Sequence, residues 1–172
     1  MVKPDKALVL YFLKAIGLYL LWYIIYDLWL KPEGSVDQWL TEITAYSAYR
    51  IVNWMGYDTC IEGTQVCVNV VSTVTVGNGC NGLEVFAIFA GFIILFPGKL
   101  INKIIYIVGG ILFIFLSNLM RVSMLAIDHY KNLDLFSFNH KYTYVFVVYT
   151  LVLGLWIIWI KKFSHKSILN VS

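Results

Sequence analysis

Residues 104–127 read IIYIVGGILFIFLSNLMRVSMLAI, an apolar run whose only charge is Arg121. A run of this length meets the ~20 residues that a helix needs to cross a bilayer. A charge near one end of such a run either snorkels to the headgroups or faces the interior of a helix bundle. Both readings are open for Arg121. Asn118, three residues earlier, shares its helical face and can orient it.

Working outward, three more stretches qualify as spans: Ala7 to Leu30, Leu83 to Pro97 and Tyr142 to Ile160. The run from Leu83 is short, covering only about 22 Å at helical rise against a hydrocarbon core of ~30 Å. It must borrow residues at its ends. The whole chain of 172 residues is 60% hydrophobic and only 13% charged, roughly half the charged share of a soluble domain. Aromatic residues make up 17%, which suits Trp and Tyr anchors at both interfaces. The expected fold is an all-α integral membrane protein, a four-transmembrane-helix bundle forming one domain over 1–172. The run from Ala7 is longer than a signal-peptide core and lacks a small-residue cleavage site after it, so it reads as a retained span. Lys14 within it can snorkel or face the bundle.

Lysines set the expected orientation. Lys3 and Lys6 precede the first span, Lys99 and Lys103 lie between the second and third, and Lys161, Lys162 and Lys166 follow the fourth. The positive-inside rule places these clusters, and both termini, in the cytoplasm of a multi-pass inner-membrane protein. Residues 31–82 and 121–141 then lie outside, with most of the carboxylates; Asp5 is the one acid on the inner side. The net charge of +3 is explained by these span-end lysines and needs no nucleic acid.

The first outer segment divides in two. Ser35-Val36-Asp37-Gln38 has the capping-box pattern and predicts a small amphipathic helix with Trp39, Leu40, Ile43, Tyr46 and Trp54 on or near one face. Such a helix suits the interface or a cap on the bundle. Gln65 to Val76 predicts a strand, paired in a β-hairpin with Tyr57 to Glu62 through Gly63. Gly77-Asn78-Gly79 then breaks the strand.

Cys80 follows, in Gly77-Asn78-Gly79-Cys80-Asn81-Gly82-Leu83-Glu84. Strand, glycine-permitted turn and helix start form an elbow that projects one side chain. The helix N-terminus favours a thiolate and offers N–H groups to an oxyanion. The alternative is an inert buried cysteine. Cys60 and Cys67 have a separation that suits a disulfide across the hairpin, which leaves Cys80 as the odd thiol; two unpaired cysteines are the other reading. His140, before the fourth span, can exchange a proton near neutral pH or simply sit in an aromatic belt. His129 is its rival on the same side. His165 lies by the cytoplasmic tail. Glu84 can pair with Arg121 or tune it. No residues have metal-site spacing, and no phosphate loop or dinucleotide fingerprint occurs, so neither metal nor cofactor is expected.

Cys-x-Gly at the outer start of a span (Cys80, Asn81, Gly82), Asn-x-x-Arg-Val ending the next (Asn118 to Val122) and a His entering a later span (His140) resemble the exosortase/archaeosortase family of membrane cysteine transpeptidases. The likeness covers roughly Val66 to Trp159. It differs in having fewer spans than many members and Asn81 where Ser is common. The resemblance implies Cys80 as nucleophile, His140 as general acid/base and Arg121 as oxyanion or substrate-positioning group, with the N–H groups of Asn81 and Gly82 assisting. It implies as partner a precursor with a C-terminal sorting signal (recognition motif, membrane helix, basic tail) and an acceptor of unknown identity, met in the lipid bilayer. A four-helix thiol–disulfide oxidoreductase is a rival, but it would use closely spaced cysteines and no Cys-x-x-Cys occurs. A non-catalytic membrane scaffold, with Arg121 and Glu84 setting helix register, is the third reading.

Overall fold

The computed structural model describes the backbone of residues 6–69 and 72–164 and the side chains of residues 13–69 and 72–163. Lys3, Asp5, His165 and Lys166, and the Lys6 side chain, lie outside the described residues.

Helix α1 (Lys6–Ile25) continues through a π-helical turn (Tyr26–Leu30) into the single turn α2 (Lys31–Glu33). Gly34, at φ +77°, ends that run in the left-handed region open to glycine, and α3 (Ser35–Trp54) begins directly after it. Strands β1 (Thr59–Glu62), β2 (Gln65–Val68) and β3 (Ser72–Thr75) follow, then a 3₁₀ turn (Asn78–Cys80) and α4 (Leu83–Leu95). Helix α5 (Leu100–Lys131), the short α6 (Leu133–Phe138), a π-helical turn (Asn139–Thr143) and α7 (Tyr144–Trp159) complete the order.

Three helical stretches are long and apolar enough to span a membrane: Leu13–Glu33, Leu100–Lys131 and Leu133–Phe163. The chain is thus a mostly helical, multi-pass membrane protein. Helix α4, expected as a fourth full span, has 13 residues, about 20 Å. Pro97 explains its end, because it drives the preceding Phe96 to an extended ψ of 147°. The Lys103 ammonium donates to the Ile94 carbonyl at 2.7 Å, covering one of α4's open C-terminal acceptors. Helix α5 also outruns its expected bounds. The segment 121–141 is helical except at Asn132, whose side chain accepts from the N–H groups of Asp134 (2.8 Å) and Leu135 (3.1 Å) and so starts α6.

The expected hairpin is a three-stranded antiparallel sheet in the order β1-β2-β3. The predicted single strand from Gln65 to Val76 breaks at Asn69, which adopts φ +52°, a conformation Asn tolerates better than its β-branched neighbours. The chain then turns back and Ser72 pairs with Val68. Cys60 lies opposite Cys67 in the β1–β2 register, and the two form a disulfide with Cα atoms 5.0 Å apart.

The capping box does not form. Because helix precedes Gly34, the Ser35 N–H and hydroxyl both donate to the Glu33 carboxylate, and Gln38 bonds Glu42 instead of reaching back. Helix α3 is also long rather than small, and its packed face is not the aromatic one. Asp37, Leu40, Thr41, Thr44, Ala45, Ala48 and Val52 are buried, while Trp39, Tyr46 and Trp54 are exposed. Small residues let α3 approach the rest of the molecule closely, and the aromatics remain free for the interface.

Two apolar clusters result. One joins Ala45, Ala48 and Val52 of α3, Val66 and Val68 of β2, Val76, and Val122, Ala126 and Ile127 of α5. The other fills the bundle with Phe86, Phe89 and Ile93 of α4, Ile114 of α5, and Val152 and Trp159 of α7. The upper third of α5 therefore belongs to the sheet's support, which is why that helix extends past membrane length.

Candidate functional site

The elbow sits between these clusters. The Cys80 N–H donates to the Gly77 carbonyl at 2.8 Å, closing the 3₁₀ turn. Gly82 then takes φ +88°, and a Cβ there would lie 3.2 Å from the Phe86 ring. Both backbone angle and space demand glycine at that corner. Helix α4 starts at the next residue. Cys80 is a free, half-buried thiol at the edge of the α3–sheet–α5 cluster.

Helix α5 holds the elbow from one side. The Asn118 side-chain amide donates to the Cys80 carbonyl at 2.8 Å, and an Arg121 terminal nitrogen donates to the same oxygen at 3.3 Å. The expected shared face of Asn118 and Arg121 thus converges on the cysteine's backbone. The Arg121 Nε is buried with no acceptor among the described residues, so part of the guanidinium fork is left for another group. A cleft of about 160 Å³ lies beside it, walled by Asn78, Gly79 and Asn81 to Val85, by Asn118 and Arg121, and by Val145, Val148 and Tyr149 of α7, with Cys80 itself outside the lining.

From the other side the elbow is held by α3. Asn81 is buried and its amide nitrogen donates to the Asp37 carboxylate at 2.7 Å, while its side-chain carbonyl accepts from the Leu83 N–H at 2.9 Å. The second Asp37 oxygen accepts from the Tyr26 hydroxyl at 3.0 Å. Thr41 donates to the Asn78 side chain at 3.3 Å. The Asn81 N–H is spent on the Asn78 carbonyl at 3.4 Å, whereas the Gly82 N–H has no acceptor among the described residues. Of the two expected backbone donors, only Gly82's is open.

Glu84 lines the cleft and is exposed. It forms no ion pair with Arg121: among the described residues the salt bridge is Lys31–Asp27, at 3.1 Å. Water satisfies an exposed carboxylate at this corner, so an arginine partner is not required.

His140 stands exposed on the π-helical turn and stacks on Phe136, ring centroids 5.7 Å apart. No hydrogen bond joins it to Cys80 among the described residues. Phe136 also meets the His129 ring edge-on at 4.9 Å, and His129 Nδ1 is hydrogen-bonded to the Ser72 hydroxyl of β3. The two histidines thus flank one phenylalanine, His129 tied into the sheet and His140 outside it. Below them Asp128 accepts from Asn139 (2.8 Å) and the Tyr144 hydroxyl (3.0 Å), fixing the turn that carries His140.

Cys80, Asn81, Gly82, Asn118 and Arg121 are therefore brought together, Glu84 borders them unbonded, and His140 has no hydrogen bond to any of them among the described residues. Sequence reasoning missed Asp37, treating it as part of a helix start. The available signal was its spacing: Asp37, Thr41, Thr44 and Ala48 recur at helical intervals as one small, polar stripe.

No curated protein and no solved structure matches the chain significantly. The family described as transmembrane exosortase (Exosortase_EpsH) matches over residues 5–159. That stretch holds the elbow, the Asn118–Arg121 face, His129 and His140. The chain belongs to the transmembrane exosortase family.

Proposed function

We propose that this protein is a membrane cysteine transpeptidase that cleaves the C-terminal sorting signal of a membrane-anchored precursor and transfers the upstream part to an acceptor. The observation that carries this reading is the grip on Cys80: a free thiol on a glycine-cornered elbow, its carbonyl held by both Asn118 and Arg121.

The Cys80 thiolate attacks the scissile carbonyl, whose oxygen takes up the negative charge. The Gly82 N–H and the uncommitted part of the Arg121 fork are the donors suited to that oxyanion. The C–N bond then breaks, the leaving amine takes a proton from His140, and the acyl group remains as a thioester. A nucleophile on the acceptor gives its proton back to His140, attacks the thioester and releases the Cys80 thiolate. His140 approaches the thiol through bound substrate in this scheme, since catalytic hydrogen bonds often tighten only in the complex.

Depth supports an anchored substrate. Asn118 stands about 27 Å along α5 from Leu100, a little less than the ~30 Å hydrocarbon core. With Lys99 and Lys103 at the cytoplasmic edge, Cys80 sits just within the opposite interface of the inner membrane. A scissile bond beside a precursor's own membrane helix would reach the same level.

The test is co-expression with a candidate precursor carrying such a signal. Wild-type protein should shorten the precursor, and Cys80→Ala should leave it intact. Shortening by the Cys80→Ala variant would overturn the proposal.

A further inference from the structure

The Asp37–Asn81 contact is a donor–acceptor match with no slack. Asp37 is 1% exposed and Asn81 2% exposed. An ionised carboxylate only accepts, whereas a side-chain amide has one accepting and one donating end. Here each atom is committed. One Asp37 oxygen accepts from Tyr26, the other from the Asn81 amide nitrogen, and the Asn81 oxygen accepts from the Leu83 N–H that opens α4. The Asn81 orientation is thereby fixed from outside the elbow. With the Cys80 carbonyl held by α5, the residue after the cysteine is held by α3, and the thiol's position depends on both.

We propose that Asp37 is a positioning residue for Cys80, acting through Asn81, and that these two side chains form a matched pair. The inference rests on the reading above only in treating Cys80 as the nucleophile. Exchanging the two side chains shows what the match requires. In Asp37→Asn, a new amide whose nitrogen faces Tyr26 keeps the Asn81 bond but leaves the buried Tyr26 hydroxyl, which then accepts, without its own acceptor; one whose oxygen faces Tyr26 makes two amide nitrogens meet. If Asn81 flips to relieve this, its nitrogen meets the Leu83 N–H instead. In Asn81→Asp, two buried carboxylates face each other. The double exchange, Asp37→Asn with Asn81→Asp, restores the short bonds from Tyr26 through residues 37 and 81 to Leu83, and gives up only the longer donations from position 81 to Thr41 Oγ1 (3.4 Å) and the residue 37 carbonyl (3.5 Å). The amide now on α3 accepts from Tyr26 and donates to the carboxylate now on the elbow, and that carboxylate accepts both this bond and the Leu83 N–H.

The probe is iodoacetamide, applied to the full-length protein in detergent with the Cys60–Cys67 disulfide intact, so that Cys80 is the free thiol. A folded thiol's alkylation rate reports its local setting, since alkylation needs both the thiolate and access to it. Asn81→Asp should slow alkylation about tenfold or more, in line with the cost of a small misplacement, and Asp37→Asn, which can keep its bond to Asn81, should slow it less. The double exchange should return the rate to within about threefold of wild type, again on that scale. Thermal unfolding measured in parallel identifies the folded variants. Should either single exchange fail to fold, Asp37→Glu, which keeps both acceptors on a longer arm, replaces it and should also slow alkylation. Wild-type alkylation in folded Asn81→Asp or in folded Asp37→Glu, or a folded double variant as slow as Asn81→Asp, would overturn the inference. Because no substrate is used, that failure would leave the transpeptidase reading standing. Conversely, precursor shortening by Cys80→Ala would end that reading and leave the alkylation result unchanged.

Discussion

Asn118 and Cys80, 38 residues apart in sequence, are joined by a 2.8 Å hydrogen bond from the Asn118 amide to the Cys80 carbonyl. The bond ties the middle of the long helix α5 to the turn that leads into the short α4. It gives the carbonyl of this half-buried turn a protein donor in place of water. Asn118 itself is buried.

Asn118→Ala leaves the Cys80 carbonyl with only the longer Arg121 contact. Precursor processing should fall about 10²-fold, the scale of a misplaced reacting group. Asn118→Leu should fall equally. A folded Asn118→Leu with wild-type processing would show that the amide is dispensable.

Gly109 and Gly110 are adjacent on α5 and differ in what surrounds them. A Cβ at Gly110 would lie 2.2 Å from the Phe89 ring, whereas nothing lies within 4 Å of one at Gly109. Gly110→Ala should destabilise the protein by about 1–3 kcal/mol through overpacking. Gly109→Ala should be neutral or slightly stabilising, since alanine is the better helix former. Thermal unfolding in detergent separates the two, and equal effects would refute this packing of α4 on α5.

The first of these sites was legible in the sequence and the second was not. Cys80 between glycines, and Asn118 with Arg121 on one face, could be read because local spacing dictates them. The membrane class followed from the apolar runs for the same reason. Long-range commitments were not readable. Asp37 resembles a helix-start residue until Tyr26 and Asn81 close on it from both sides. The aromatic residues of α3 suggested a packing face, but the small ones form it, because close approach to the sheet and α5 favours short side chains. The strand break at Asn69 and the extension of α5 past Ile127 likewise depend on tertiary packing that no local pattern records.

His140 and His129 should separate by role. His140→Ala should lower processing by about 10²–10⁴-fold, the usual range for a lost general acid/base, with little change in thermal stability at this exposed position. His129→Ala removes the bond to Ser72 and the edge contact to Phe136. It should cost stability by about 1 kcal/mol and affect processing far less. The reverse pattern would move the proton-transfer role to His129.

Replacing Cys60 and Cys67 together by serine removes the tie across β1 and β2. Unfolding should occur with about 2–4 kcal/mol less stability, while processing below the new unfolding temperature should persist. Loss of processing in the folded double variant would instead favour a thiol–disulfide exchange function.

The decisive measurement is intact-mass analysis of the protein after brief exposure to a candidate precursor without acceptor. A covalent adduct should form, equal in mass to the upstream fragment, confined to Cys80 and released by hydroxylamine as a thioester is. Processing that proceeds with no adduct on Cys80, or with an adduct on another residue, would contradict nucleophilic catalysis by this thiol.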